Sequence, residues 1–519
     1  MPPPDTLNIA DEFVACPARE LPQKLAILGV ERRATYGELE IEMNRVARAL
    51  RDYGCRPGDR VLLALPDSLE FIAAFFGAAK IGALPVPVNS AARAADYRHY
   101  LADSGARFAV VHATAWDGFQ PALHESSAEY TVVIGSRGWL DAPGAGTVIR
   151  WEDWLPSDAG DVPAHQSAAA DPAFLLYTSG SGGAPRAAVH RHGSMAVTSQ
   201  SYARGILGLR PDDITFSVSK LFFAYGLGNG LYFPFSAGAA TLLFPDRPRA
   251  DSIADAVAKF HPTVFFSVPT FYAALLREAG AGRSMDFSSV RLAVSAGESL
   301  PAEIFTRFRD RFGIEILDGI GSTEMLHIYI SPRPGKARPG SCGVPVPGYE
   351  VKILDDHERE VPDGEIGNLW VAGASRFCEY WNAPELSRSR IDGDWFLTGD
   401  KLTRDADGFY HYCGRADDMM KVSGMWVSPA DVENALLAHP AVAECAVVGH
   451  FDSVGLTRPV AYVVLRAGVQ QPGGGLDSEI SAWLRTRLVG YKCPQEFRFV
   501  RDLPKTATGK IQRFLLRAT

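Results

Sequence analysis

The chain has no CxxC pair, and its seven cysteines are scattered from Cys16 to Cys493. A zinc site or a disulfide framework therefore has no support, and a reducing cytoplasmic setting is expected. Positive charge is not in excess: 52 Lys and Arg stand against 60 Asp and Glu, a formal net charge of -8. Proteins that grip nucleic-acid backbones need basic faces, so nucleic acid is excluded as the main partner. A long unbroken apolar run is missing as well. The most apolar stretch, residues 62–88, is interrupted by Asp67, Glu70 and Lys80, whereas a bilayer helix needs about 20 mostly apolar residues. It reads as helix and strand in a core, with no membrane partner. The start, MPPPDTLNIA, has neither a basic n-region nor an apolar h-region, so no secretory leader is read. No glycine-rich loop ends in Gly-Lys-Ser/Thr, which speaks against a P-loop ATPase or kinase.

What is present is a globular composition, 47% hydrophobic and 22% charged over 519 residues, enough for roughly two to four domains. VFFSV (264–268) followed by Pro269-Thr270, and VRLAVSAGESLPAE (290–303), each read as a strand, a small-residue turn and a helix start. Such alternation predicts an α/β fold with mixed sheets. The last hundred residues form a smaller unit of both element types. Ser428-Pro429-Ala430-Asp431 is a capped helix start, VAECAVV (442–448) and RPVAYVVL (458–465) are strands, and Asp477 opens a helix with Ile480, Trp483, Leu484 and Leu488 on one stripe. The expected domains are 1–414 and 415–519.

Five stretches carry chemistry. YTSGSGGAPRAAVH (177–190) offers hydroxyls at Thr178, Ser179 and Ser181, glycines that turn backbone N–H groups inward, and the cation Arg186; this makes an anion nest, or else a surface turn. DGIGSTEM (318–325) sets Thr323 beside Glu324, a carboxylate suited to Mg²⁺ near a bound triphosphate, or else the first turn of a helix. WFLTGD ends at Asp400, where an acid at a strand end can accept two ribose hydroxyls or simply close a β-turn. Arg415, Asp417, Asp418 and Lys421 crowd a hinge or a charged linker. Lys510 follows Thr508-Gly509 in a basic segment that alternatively frays.

In this order, and from TYGELE (35–40) to Lys510, the stretches resemble the adenylate-forming superfamily of acyl- and aryl-CoA synthetases, peptide-synthetase adenylation domains and luciferases. The resemblance implies a large N-terminal domain, a small mobile C-terminal one, and two half-reactions. A carboxylate attacks the α-phosphate of Mg·ATP to give an acyl-adenylate and pyrophosphate; a thiol then attacks the adenylate, releasing AMP. It implies that Thr178, Ser179, Ser181 and Arg186 grip the outer phosphates. Gly297, Glu298, Ser299, Asp318 and Gly319 would wall the adenine. Thr323 would touch the α-phosphate and Glu324 the Mg²⁺, while Asp400 and Arg415 would hold the ribose. Lys510 would neutralise charge where the anions meet, Asp417 would be the hinge, and Lys421 and Gly424 would line the thiol side. The loop departs from the family pattern: Gly182 replaces a threonine, Arg186 a lysine and Ala187 a glycine. Those changes give some weight to a non-catalytic binder, against which Glu324, Asp400, Arg415 and Lys510 are all retained.

Within the superfamily, KLFFAYGLGNGLYFPF (220–235) and DGIGSTEMLHIYIS (318–331) are most similar to benzoate-CoA ligases. That implies a flat, mostly apolar slot for one ring, formed by Ala224, Tyr225, Ala296, Gly321 and Ile328, with Tyr225 and His327 as candidate partners for a ring substituent. Amino-acid adenylation domains carry an aspartate after a phenylalanine here. This chain has Phe223-Ala224, which disfavours an α-amino acid. The expected partners are a small aromatic acid (benzoate, anthranilate or hydroxybenzoate), ATP, Mg²⁺ and CoA, or a carrier-protein thiol in place of CoA.

Overall fold

In the computed structural model, residues 5–29, 32–135, 146–178, 184–422, 425–451, 457–466, 468–469, 475–505 and 511–517 are described. Two mainly parallel sheets form the body of the large region. One is five-stranded, in the order Leu84–Pro87, Arg60–Ala64, Phe108–His112, Tyr130–Ile134, Thr147–Arg150, with every pair parallel. Its central strands Arg60–Ala64 and Phe108–His112 are almost continuous buried apolar runs, as expected when both faces are covered, whereas the edge strand Thr147–Arg150 is partly exposed. The stretch 62–88 supplies a strand, the helix Leu69–Lys80, buried except at Glu70, and the neighbouring strand, not a bilayer span. No described helix is long and apolar enough to cross a membrane.

The second sheet runs Ile316–Asp318, Leu292–Ser295, Val264–Ser267, Ile214–Ser217, Ala240–Leu243, Leu25–Gly29, Arg33–Thr35. Only the last hairpin is antiparallel. The carboxyl ends of its strands Val264–Ser267, Leu292–Ser295 and Ile316–Asp318 open where loops collect, the usual ligand position in such sheets. A third, antiparallel sheet joins Tyr349–Leu354, Gly367–Gly373, Trp395–Arg404, Ile391–Asp392 and Tyr410–Arg415.

From Met420 onward the chain builds cores of its own, around Val427, Val432, Leu436, Val447, Val463 and Ile480 and around Val448 and Tyr462. Val442–Phe451 and Thr457–Leu465 pair antiparallel, and Glu496–Phe499 adds in parallel. The helix Pro429–Leu437 starts as its sequence predicts, with Asp431 N–H donating to Ser428 Oγ at 3.2 Å. The helix Leu476–Arg485 carries Ile480, Trp483 and Leu484, but it stops before Leu488. The whole is α/β: a large N-terminal region of mixed sheets and a smaller C-terminal α+β unit.

Two local expectations change. Asp400 is not at a strand end: it sits inside the ten-residue strand Trp395–Arg404, just after Gly399, whose φ of +80° kinks the strand. Thr323-Glu324 does not begin a helix; the chain turns and continues into the strand Ile328–Ser331.

Candidate active site

The turn around Glu324 is fixed from three sides. Leu326 N–H donates to Thr323 O at 3.0 Å, and Leu326 adopts φ +68°, an uncommon conformation for a leucine that closes the turn. His190 Nε2–H donates to Thr323 O at 2.8 Å. Burial lowers the His190 pKa to about 3, so the ring is neutral and this tautomer is fixed by its carbonyl partner. Phe377 N–H donates to Glu324 O at 2.7 Å, and Tyr380 O–H donates to the carboxylate Oε1 at 2.6 Å. Burial first, then the adjacent Glu324 charge, raises the Tyr380 pKa, so the phenol stays protonated and donating.

The same segments brace the strands that flank the glycine-rich stretch. Strands Pro172–Thr178 and Arg186–Arg191 form an antiparallel hairpin with Thr178 opposite Arg186 at its mouth. Cys378 N–H donates to Val189 O at 2.8 Å, Val189 N–H to Glu379 O at 3.0 Å, and Trp381 N–H to Ala187 O at 2.8 Å. Tyr177 O–H donates to Asp103 at 2.8 Å, and His99 Nε2 lies 2.7 Å from Pro185 O. Both stems are thus anchored, and Arg186 is exposed between them. Ser179 and Ser181, with Gly182, lie outside the described residues, as do Lys510 and Gly424.

Asp400 and Arg415 are brought together. They are direct partners in register between Trp395–Arg404 and Tyr410–Arg415, and Arg415 Nη1 donates to Asp400 Oδ1 at 3.1 Å. The Asp400 charge is the main cause that raises the Arg415 pKa. Arg415 therefore belongs to this sheet, and the chain leaves it at Ala416, whose N–H still donates to Gly399 O at 2.9 Å. The exposed Asp417 follows in the turn.

Asp318 ends its strand almost fully buried. Leu300 N–H donates to its Oδ2 at 3.2 Å, while Oδ1 has no hydrogen-bond partner among the described residues. Burial raises this carboxyl to about 7. Gly297 (φ +91°), Glu298 and Ser299 form the facing turn. Glu298 Oε1 accepts the Ile511 N–H at 3.1 Å, which brings the C-terminal segment onto that turn. Lys421 lies elsewhere, exposed on a hairpin with its ammonium 5.6 Å from the Trp426 ring.

The predicted ring slot collects at the sheet end. Ala224, Ala296, His327 and Ile328 are buried. Gly321 is required by close packing, since a Cβ there would stand 2.6 Å from His327 O. The Tyr225 ring lies tilted by 39° with its centroid 5.4 Å from that of His327, and its hydroxyl is aimed at the carbonyls of Ser267 and Val294, both 3.3 Å away. His327 Nε2–H donates to Asn229 Oδ1 at 3.0 Å, and burial lowers its pKa to about 3. Its Nδ1 is then a lone-pair acceptor, with no partner among the described residues.

His190 and Tyr380 escaped sequence reasoning. Tyr380 reaches Glu324 across 56 residues and His190 reaches Thr323 across 133, so no local spacing announces either contact.

Anchored hairpin stems, a braced carboxylate and an acid–arginine pair are the described parts of this region, and the comparisons with known proteins define the class of enzyme. Residues 15–381 match the AMP-binding enzyme family and residues 431–510 match the AMP-binding enzyme C-terminal domain; the chain belongs to that family. Within it, the chain is 42% identical to the benzoate–CoA ligase of Thauera aromatica, over 93% of this chain and 90% of that one. The benzoate CoA ligase from Burkholderia xenovorans LB400 superposes with a TM-score of 0.89 at 41% identity, covering 98% of this chain and 99% of its own. An anthranilate CoA ligase solved with anthranoyl-AMP gives a TM-score of 0.92 at 40% identity, covering 99% and 98%.

Proposed function

We propose that the chain is an AMP-forming aryl-CoA ligase that joins a benzoate-type acid to ATP as an aryl-adenylate, releases pyrophosphate, and then passes the aryl group to CoA with release of AMP. The observation that supports this reading is the approach of the braced Glu324 turn to the Asp400–Arg415 pair, whose arginine feels the Glu324 charge, beside the buried residues Ala224, Ala296 and Ile328 assigned to the ring. The small side chains of Ala224 and Ala296 suit a flat ring, and Phe223-Ala224 offers no acid to hold an α-amine.

The first half-reaction needs little proton transfer, because a carboxylate is already ionised at neutral pH. It needs alignment and charge neutralisation. Thr178, Ser179, Ser181 and Arg186 are assigned to the outer phosphates, Thr323 to the α-phosphate, and Asp400 with Arg415 to the ribose. Gly297, Glu298, Ser299, Asp318 and Gly319 wall the base. Glu324 is assigned to Mg²⁺: one oxygen accepts from Tyr380, which leaves the rest of the carboxylate to bind a cation that neutralises phosphate charge. Lys510 neutralises the meeting anions and must withdraw before a thiol enters, so the unit after Arg415 turns about Asp417 and presents the Lys421 hairpin on the thiol side. His327 Nδ1 is an acceptor that a ring amine or hydroxyl would satisfy. A cytoplasmic setting is part of the proposal, supported by seven unpaired thiols.

The test is AMP release with CoA across benzoate, 2-amino-, 2-hydroxy- and 4-hydroxybenzoate, phenylacetate, cinnamate and a medium-chain fatty acid. Strong CoA-dependent turnover with a benzoate is expected. Acid-dependent ATP–pyrophosphate exchange without AMP release would replace CoA by another thiol acceptor, and silence in both assays would overturn the ligase.

A further inference from the structure

Arg390 ends the helix Pro384–Arg390 and is half buried. Among the described residues no hydrogen bond or ion pair partners its guanidinium. Its Nη1 lies 3.2 Å from the point where a Cβ on Gly399 would stand, and Arg415 Nη2 lies 3.2 Å from the same point. Two guanidinium groups therefore converge over the one residue of that strand segment that has no side chain, directly beside Asp400. Asp400 neutralises Arg415 and leaves the second positive charge unmatched. Like charges held this close favour an anion between or beside them. Both Arg390 and Arg186 also act through space on the Tyr380 hydroxyl, which bonds Glu324, so the two cations face the same region from opposite segments.

We propose that Arg390 is a further phosphate-contacting residue: its guanidinium, with that of Arg415, holds a phosphate oxygen of the bound nucleotide on the side next to the ribose pair. The inference rests on the nucleotide-site reading above. A planar fork of N–H donors suits phosphate oxygens. It also suits this chain's loop, where Gly182 removes a hydroxyl and the exposed Arg186 is the sole basic side chain between Thr178 and Val189. A cation supplied from the 384–390 helix restores phosphate contacts that the loop has lost.

The experiment is binding of Mg·ATP and of adenosine to the full chain, by displacement of a fluorescent ATP analogue, for wild type and for Arg390→Ala, Arg390→Lys, Arg388→Ala and Asp400→Ala, with melting temperatures alongside. Arg390→Ala is expected to weaken ATP roughly tenfold or more while leaving adenosine within about twofold. Arg390→Lys should recover part of the loss, and Arg388→Ala, on the exposed face of the same helix, should change neither ligand. Unchanged ATP affinity in Arg390→Ala overturns the proposal, as does equal weakening of ATP and adenosine, which would mark a structural role. Asp400→Ala separates the two levels of the argument. If it weakens both ligands while Arg390→Ala weakens neither, only the role of Arg390 falls; if it too changes nothing, the nucleotide site itself is misplaced and the proposal falls with it.

Discussion

The turn at Ser322–Leu326 and the unit after Arg415 are held in opposite ways. The turn is fixed by bonds from His190, Phe377 and Tyr380, three residues on two other segments, in surroundings that exclude most water. The C-terminal unit is well built internally: Arg513 bridges Glu433 at 2.8 Å with both side chains largely buried, and Lys505 bridges Glu444 at 2.6 Å. Its described polar contacts with the large region are sparse. They include the Ile511–Glu298 bond, an Arg277–Glu444 bridge at 3.2 Å with Arg277 59% exposed, and Lys401 over the Trp426 ring. Exposed pairs of that kind are worth about 0–1 kcal/mol. Under the proposed function the contrast matches a division of tasks: groups needed throughout lie on a braced frame, and groups needed in turn lie on a unit lightly bonded to it.

Mutations in the frame should be costly and those at the contact cheap. The largest effect is expected from Asp400→Ala, which removes a ribose acceptor and leaves Arg415 without its carboxylate; ATP affinity should fall about 100-fold by calorimetric titration. Tyr380→Phe keeps the ring packing but frees one Glu324 oxygen. The adenylation kcat should fall about tenfold and the Mg²⁺ concentration for half activity should rise, as seen by pyrophosphate exchange at varied Mg²⁺. Asp318→Asn tests the buried acid. Because burial raises its folded pKa to about 7, the folded state holds the proton more tightly than the unfolded chain. That stability is complete below about pH 4 and is lost as pH rises through about 7. The variant should therefore gain about 2–5 °C in Tm over wild type at pH 8.5 and show little gain at about pH 4. The smallest effect belongs to the contact: Arg277→Ala should slow adenylation about two- to threefold without lowering Tm, and a double-mutant cycle with Glu444→Ala should give a coupling under about 1 kcal/mol. Coupling of several kcal/mol there would erase the contrast.

Much of the frame was legible in sequence because its signals are local. The cap at Ser428, the buried strand 264–267 and the strand–turn–helix around Pro301 each declare themselves within a few residues. The kink at Gly399 did not: Thr-Gly-Asp reads as the end of a strand, and only pairing on both sides with Gly367–Gly373 and Tyr410–Arg415 carries the strand through it. The turn at Glu324 reads equally as a helix start until the pairing of Ile320–Gly321 with Ile328–Ser331 draws the chain back. Glu324 was visible as chemistry, whereas Tyr380, His190 and Arg390 gain meaning only from tertiary contact. The ring slot was legible through family resemblance, since small residues by themselves carry no substrate signal.

The most direct test of the frame-and-arm account gives the Lys510→Ala enzyme preformed benzoyl-AMP and CoA, and separately benzoate, ATP and CoA, and follows benzoyl-CoA in both. The account predicts thioester from the preformed adenylate within a few-fold of wild type, and at least about a hundredfold less from benzoate and ATP. Equal loss in both reactions would contradict it, because Lys510 would then serve the frame throughout and not one half-reaction.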